Sequence, residues 1–208
     1  MPLDGRIDTA GNVQIADGQP SGTRSRILDV SERLVQVRGF NGFSYADVAA
    51  ELSITKASLH YHFPTKADLG EAIITRYAQR FADALAEIDA RSSAAPDKLL
   101  AYTELYAQVL REDRMCLCGM LAAEYETVSS PIRAAVVDFL DDNEKWLEGV
   151  LERGRADETL RFTGAAAVAA RSIVCGLEGA MLLARPYGRV ERFESAAAQL
   201  IAGLAGVG

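Results

Sequence analysis

Histidine and cysteine, the side chains most used in catalysis and metal binding, are scarce in this sequence: it has His60 and His62, and Cys116, Cys118 and Cys175. Three cysteines are an odd number and too few for a fold held together by disulfides. With no other histidine, no set of nucleophile, base and acid is visible, so we predict that the protein is not an enzyme. The two histidines would point in nearly opposite directions on one helix, and the Cys-x-Cys pair lacks two further ligands at a recognisable spacing. We therefore predict no metal site and no cofactor.

Long uninterrupted apolar runs are also missing. Residues 1–13 contain none that could serve as a signal peptide. The most hydrophobic stretch, residues 165–184, is interrupted by Arg171 and Glu178, so it is not expected to span a membrane. No segment alternates apolar and polar residues for long enough to predict a strand. We expect an all-α protein in the cytoplasm.

Positive charge is in short supply, because 22 Lys and Arg stand against 29 Asp and Glu, a formal net charge of −7. This balance argues against a protein that coats nucleic acid with its whole surface. Residues 24–66 nevertheless hold six basic and four acidic residues, together with both histidines. A small basic segment on an acidic body is typical of a protein that binds DNA at one site.

Helix signals divide the chain into three parts. Residues 1–22 mix Gly, Asp, Asn, Ser and Pro without periodicity and predict a flexible tail. Residues 23–68 predict three helices and the start of a long fourth, and residues 69–208 predict a larger helical domain.

The helices of residues 23–68 are predicted from their caps. Ser44 begins the second, over residues 45–52, with Asp47 in the position of a capping box. Thr55 begins the third, over about residues 56–63. The caps predicted for the first and fourth helices are Thr23 or Ser25, and Thr65.

The second and third helices are separated by a tight turn, as in a helix-turn-helix. Apolar side chains can form a seam between the two helices, which leaves the polar side chains of the third helix facing outward. Cations, hydroxyls and aromatic donors on such a face suit base edges and phosphates in the major groove. From the residues alone, a short helical hairpin within a core remains the alternative.

The same residues carry a resemblance to a known family. The runs GFNGFSYADVA, residues 39–49, and LSITKASLHYHFPTKADL, residues 52–69, resemble the DNA-binding domain of the TetR family of repressors. The resemblance implies that Thr55, Lys56, Ala57, Ser58 and His60 reach bases, that Tyr61, His62 and Lys66 hold phosphates, and that Ser44 and Tyr45 contact the DNA backbone.

The sequence departs from the family pattern at two positions. Ser53 stands where a turn glycine is usual, which we expect to strain the turn slightly. Ala46 stands where some members place a base-contacting arginine, so the second helix is expected to contribute little sequence recognition.

The resemblance also implies that the second domain encloses an effector chamber and forms a homodimer. Large side chains could line the chamber and a few polar ones could orient the ligand; the candidates are Tyr102, Tyr106, Cys116, Met120, Glu124, Phe139, Asn143, Trp146, Arg171 and Glu178. Glu178 is the strongest polar candidate, and we expect it to meet Arg171 or a ligand donor because a lone buried carboxylate is costly.

Dimerisation is expected through the last two helices, where small residues would allow a close crossing and Leu177, Met181, Phe193, Leu200, Ile201 and Leu204 would fill the seam. An intramolecular bundle with the same chemistry is the alternative. A dimer is favoured because two DNA-binding domains must reach successive major-groove faces, about 34–36 Å apart.

The interpretation is a repressor that binds a palindromic operator as a homodimer and is released by a small-molecule effector. The segment around Cys116 and Cys118 supports a second interpretation, a repressor that senses oxidants or electrophiles through a thiol. The simpler explanation is that these cysteines fill small gaps beside the chamber.

Overall fold

The computed structural model describes residues 22–204, and the predicted tail, apart from Gly22, lies outside them. Within the described residues the chain is helical, with no strand: α1 Thr23–Arg38, α2 Tyr45–Leu52, α3 Lys56–His62, α4 Lys66–Arg91, α5 Ala95–Arg111, α6 Leu117–Ala123, α7 Ser130–Ala156, α8 Ala166–Ala184 and α9 Val190–Ala202. Short 3-10 turns, Tyr125–Thr127 and Arg185–Tyr187, follow α6 and α8. The all-α prediction is confirmed.

Most of the predicted caps are confirmed. The Asp47 carboxylate accepts from the Ser44 N–H at 2.7 Å and from its Oγ at 2.6 Å. The Thr55 Oγ1 accepts from the Ser58 N–H, and Thr65 forms a full capping box with Asp68. The predicted cap of α1 is wrong, because Gly22 occupies that position.

Helices α1 to α3 form a three-helix domain around a shared seam. Leu59 of α3 is fully buried in it, together with Ile27 of α1 and Val48 of α2. Phe63, just after α3, closes the seam. The alternation of buried and exposed side chains along α3 follows from this packing.

Helix α4 is continuous across the predicted domain boundary at residue 69. It leaves the three-helix domain and packs along α7 in the larger one. Apolar side chains recur along it at helical spacing and form one stripe, in which Leu69, Ile73, Tyr77, Leu85 and Ile88 are buried and Phe81 is half-buried. One rigid element therefore connects the two halves.

Helices α8 and α9 pack mainly on the rest of their own chain. Four side chains predicted to fill a dimer seam, Leu177, Met181, Phe193 and Ile201, are buried inside the subunit, so that assignment was wrong. Gly176 faces Leu200 of α9, which makes the close crossing intramolecular. The apolar side chains that α8 leaves exposed are Val168, Leu182 and Leu183.

The segment Ala166–Tyr187 is long and apolar enough to cross a membrane. This is weak support for a membrane span, because the core helix of a globular protein has the same length and composition. Here the buried residues of α8 contact α7 and α9.

Candidate nucleic-acid interface and interior polar cluster

Helix α3 presents one polar face to solvent. Thr55, Lys56 and Ala57 are exposed at its start, Ser58 is half-buried, and Tyr61 is 84% exposed. The turn before it places Ser53 in the left-handed region, with φ 54° and ψ 42°, which is the strain expected of a side chain at a glycine position. Because Leu59 anchors the opposite side, the outward face has a fixed orientation.

His60 is exposed but held in place. Its Nδ1 lies 3.1 Å from the Pro64 carbonyl oxygen, and its ring packs on Tyr45 with centroids 4.8 Å apart. A carbonyl can only accept, so Nδ1 carries the proton in this contact. In the neutral ring Nε2 is then an acceptor, which suits the exocyclic amino group of adenine or cytosine.

Tyr45 and Ser44 serve the local fold as well as the predicted interface. The Tyr45 hydroxyl lies 2.8 Å from the Phe63 carbonyl oxygen and 2.7 Å from that of Thr65, so it ties α2 to the turn before α4. Burial and the neighbouring Asp68 raise the pKa of Tyr45 to about 12. The Ser44 hydroxyl is engaged by Asp47. Neither hydroxyl is free in this arrangement to donate to a phosphate.

Lys66 was predicted to bind a DNA phosphate, but its ammonium group is engaged within the protein. Its Nζ donates to the carbonyl oxygens of Phe40, at 2.5 Å, and Phe43, at 2.6 Å. The ammonium also lies 4.7 Å and 4.3 Å from the centroids of the two rings. The structure thus places Lys66 between α4 and the loop after α1, where it holds that loop.

We expect Lys66→Met to leave the salt dependence of operator binding unchanged. It should lower the free energy of unfolding by about 1–2 kcal/mol, because two hydrogen bonds from a charged group are lost. A phosphate ligand would instead change the slope of log K against log salt by roughly one for each subunit. Titrations at several salt concentrations distinguish the two outcomes. Lys56→Met, at the exposed start of α3, is the matched control whose slope should change.

Glu124 was predicted to line the effector chamber, but the structure places it at the junction of the two domains. Its Oε2 accepts from the Phe40 N–H at 2.5 Å, and both oxygens lie 3.3 Å from the Asn41 N–H. The Asn41 Nδ2 donates to Thr127 Oγ1 at 2.7 Å. Sequence reasoning missed this role because the partners are more than 80 positions away.

Arg185 makes the second contact across the same junction. Its guanidinium donates to the Val37 carbonyl oxygen in the last turn of α1, and a second nitrogen lies 3.6 Å from the Met120 sulfur. A cation at a helix C-terminus is favoured by the exposed carbonyls there. Arg185 and Glu124 therefore connect the end of α1 to α6 and to the end of α8.

Other chamber candidates do meet inside the larger domain. The Tyr102 hydroxyl donates to Asn143 Oδ1 at 3.0 Å and lies 3.1 Å from the Tyr106 hydroxyl. Asn143 Nδ2 donates to the Phe139 carbonyl oxygen at 2.7 Å. Trp146 stacks on Tyr102 with centroids 5.6 Å apart. Tyr102, Tyr106 and Asn143 thus form a buried, hydrogen-bonded cluster, and the half-buried Trp146 packs on it while donating to Asp89 Oδ2 at 3.0 Å.

Glu178 and Cys116 lie beside this cluster. The Cys116 thiol contacts the Glu178 carboxylate and lies 3.8 Å from the Tyr77 hydroxyl. Burial and the negative charge of Glu178 raise the pKa of the Cys116 thiol well above its usual value. Burial likewise raises the pKa of Cys118. Both thiols are protonated at neutral pH.

The predicted contact between Arg171 and Glu178 is wrong. Arg171 is exposed and pairs with Glu144 of α7 at 3.2 Å. Met120 is half-buried, and its sulfur lies 3.6 Å from an Arg185 nitrogen. Within residues 22–204 no group of three or more His, Cys, Asp or Glu side chains could hold a metal ion.

Residues 27–73 match the family described as bacterial regulatory proteins, tetR family, and residues 95–200 match the tetracyclin repressor-like C-terminal domain. The chain is 27% identical over 185 residues to the HTH-type transcriptional repressor NemR of Escherichia coli (strain K12), covering 86% of this chain and 92% of NemR.

Two solved structures are also similar. A TetR-family transcriptional regulator from Agrobacterium tumefaciens superposes with a TM-score of 0.85 at 30% identity, over 88% of this chain and 97% of that one. A TetR transcriptional regulator from Legionella pneumophila gives a TM-score of 0.81 at 33% identity, over 88% and 98%.

Proposed function

Since the chain belongs to the TetR family of bacterial regulatory proteins and is a DNA-binding transcription regulator, we propose that it is a cytoplasmic repressor. In this proposal it binds a palindromic operator and is released from it by a small-molecule effector. The observation that carries the proposal is the outward face of α3. Tyr61 extends from it into solvent, His60 is oriented by Pro64, and the buried Leu59 fixes the opposite side. A fixed polar face of this kind suits the major groove.

A homodimer brings two copies of α3 to one operator. The exposed apolar side chains of α8, Val168, Leu182 and Leu183, favour dimer contacts on its outward side. Gly179 on the same helix has open space around it, which permits close approach of a partner helix. We propose that the interface is built from these outward positions of α8 together with the outward side of α9.

The buried cluster of Tyr102, Tyr106 and Asn143, with Glu178 and Cys116 beside it, is the proposed effector site. Cys116 is the N-cap residue of α6 and Glu124 is its C-cap residue, and Glu124 accepts a hydrogen bond from the loop after α1. A ligand that favours a shifted position of α6 would therefore change how the three-helix domain is held. The difference in ligand affinity between the two positions sets the loss of operator affinity.

The test begins with selection of tight binders from random-sequence DNA duplexes by the purified protein. We expect enrichment of a palindromic site whose half-sites are one helical turn apart, about 34–36 Å, bound by a dimer. The oligomeric state of the complex is measured by analytical ultracentrifugation. Failure to enrich any sequence, or binding of a monomer to a single half-site, would contradict the proposal.

The thiol-sensing alternative has one point in its favour, the similarity to NemR, whose crystal structure is described as the reduced form. Against it, Cys116 and Cys118 are buried and hold raised pKa values, whereas a reactive cysteine needs thiolate character and access. Operator release by oxidant or electrophile that disappears in Cys116→Ser would establish this alternative. Release that persists in the variant would remove it.

A further inference from the structure

Glu178 is a half-buried acid of α8 whose charge has no counter-ion among the described residues. Its Oε1 is shielded from solvent and has no hydrogen-bond partner among the described residues. Glu32, which is 7% exposed, receives hydrogen bonds from both Arg76 and Arg80. A buried polar group without a partner is uncommon in a native fold and is costly to maintain.

The nearby arginines of the chain are directed away from this carboxylate. Arg171, two turns earlier on α8, pairs with Glu144. Arg185, two turns later, donates to the Val37 carbonyl oxygen. No Lys, Arg or His of residues 22–204 forms an ion pair with Glu178. The counter-ion of Glu178 is therefore not supplied by the described part of the subunit.

Aromatic side chains surround the same region. Burial is the main cause of the raised pKa of Tyr77 and of Tyr106, and the negative charge of Glu178 adds to both. The Cys116 thiol, which contacts the Glu178 carboxylate, lies 3.8 Å from the Tyr77 hydroxyl. Phe81 joins them to Phe139, with ring centroids 6.3 Å from Tyr77, 6.3 Å from Tyr106 and 5.1 Å from Phe139. Aromatic faces attract cations, and more strongly where water is excluded.

Resting on the proposed effector function, we propose that the effector is a hydrophobic organic cation, such as an amine, whose positively charged nitrogen binds the free oxygen of Glu178 among the rings of Tyr77, Tyr106 and Phe81. An anion would meet the uncompensated carboxylate and be repelled. A neutral ligand would leave the buried charge unpaired. A cation supplies the missing partner and gains from the aromatic faces as well.

Phe81 marks the route by which such a ligand reaches the site. It is only half-buried and lines two separate surface cavities, one of about 200 Å³ with Tyr77 and Leu105, the other of about 300 Å³ with Phe139 and Asn143. The Phe81 ring is the wall that both cavities share with the aromatic cluster.

The test uses three probes with one hydrocarbon skeleton and different charges: phenylbutylamine, phenylbutanol and phenylbutyrate. Each is titrated into the full-length protein at neutral pH by calorimetry and by thermal shift. We expect the amine to bind and to raise the melting temperature, and the alcohol and the acid to bind at least about tenfold more weakly. The matched variants are Glu178→Gln and Glu144→Gln, the latter removing a half-buried carboxylate of α7 that is already paired with Arg171.

Glu178→Gln should weaken amine binding by about tenfold or more, and Glu144→Gln should leave it unchanged. Equal binding of the three probes, binding of none, or amine binding that survives Glu178→Gln would overturn the proposal. Operator binding by the ligand-free protein is measured in parallel. It depends on α3, so its retention shows that the regulator assignment stands even if the cation proposal fails.

The pH dependence of the melting temperature tests Glu178→Gln in the absence of ligand. Burial raises the pKa of Glu178 in the folded state above 4.5, its value in the unfolded chain. The stability that this carboxyl contributes is therefore fully present below pH 4.5, and it is lost as the pH rises through the pKa of the folded state. We therefore expect ligand-free Glu178→Gln to melt at a higher temperature than the parent at about pH 8, with a difference that shrinks toward about pH 5. A variant that is less stable than the parent at both pH values would show that the fold already compensates the charge of the carboxylate, and would contradict the proposal.

Discussion

Tyr61→Ala is expected to lower affinity for the selected operator by roughly a hundredfold. The side chain is 84% exposed at the outward face of α3 and makes no hydrogen bond within the described fold. Loss of one base or phosphate contact costs about 1.4 kcal/mol, a factor of ten, and a dimer loses it in both half-sites. The measurement is a titration of the selected duplex at fixed salt concentration.

The control for Tyr61→Ala is Tyr187→Ala. Tyr187 is 60% exposed and follows α8, far along the chain from α3. Both substitutions should change the free energy of unfolding by less than about 0.5 kcal/mol, because neither side chain is part of the core. Equal affinity losses in the two variants, or no loss in Tyr61→Ala, would show that α3 does not carry the DNA contacts.

Glu32→Gln is expected to destabilise the protein by about 3 kcal/mol. Glu32 lies on α1, is 7% exposed, and accepts from Arg76 at 3.1 Å and from Arg80, both on α4. Removing one member of a buried ionic network leaves the other charges without compensation, which costs about 3–5 kcal/mol, and the partial exposure of Arg80 favours the lower value. Chemical denaturation of the dimer at neutral pH measures the loss.

Glu51→Gln is the matched control for this second expectation. Glu51 on α2 pairs with Arg33 of α1 at 2.5 Å, but both side chains are substantially exposed. An exposed pair contributes only about 0–1 kcal/mol. If the two variants lose the same stability, the pairing of Glu32 with α4 is not what holds α1 in place.

The sequence was informative wherever the decisive contact is local. The caps at Ser44, Thr55 and Thr65 follow from one side chain and the N–H groups two or three residues later, so they were predicted correctly. The apolar stripe of α4 follows from helical periodicity alone.

The sequence failed where the partner lies far along the chain. Periodicity showed that Leu177 and Phe193 are buried, but it could not tell burial inside a subunit from burial between subunits. Lys66 has a charge that suits phosphate, and only the fold shows its ammonium on two carbonyl groups. The absence of a counter-ion for Glu178 is likewise visible only once Arg171 and Arg185 have been placed.

Because α4 is continuous, a small tilt of this helix in the larger domain displaces the three-helix domain at its other end. A helix of 26 residues is about 39 Å long, from Lys66 beside the three-helix domain to Arg91 at the far end of the larger one. A tilt of about 6° around the far end displaces the near end by roughly 4 Å, so two subunits tilting in opposite senses change the separation of their α3 helices by roughly 8 Å. Successive major-groove faces are about 34–36 Å apart and tolerate no such error. A rotation too small to alter any single helix is therefore sufficient to put the dimer out of register with its operator.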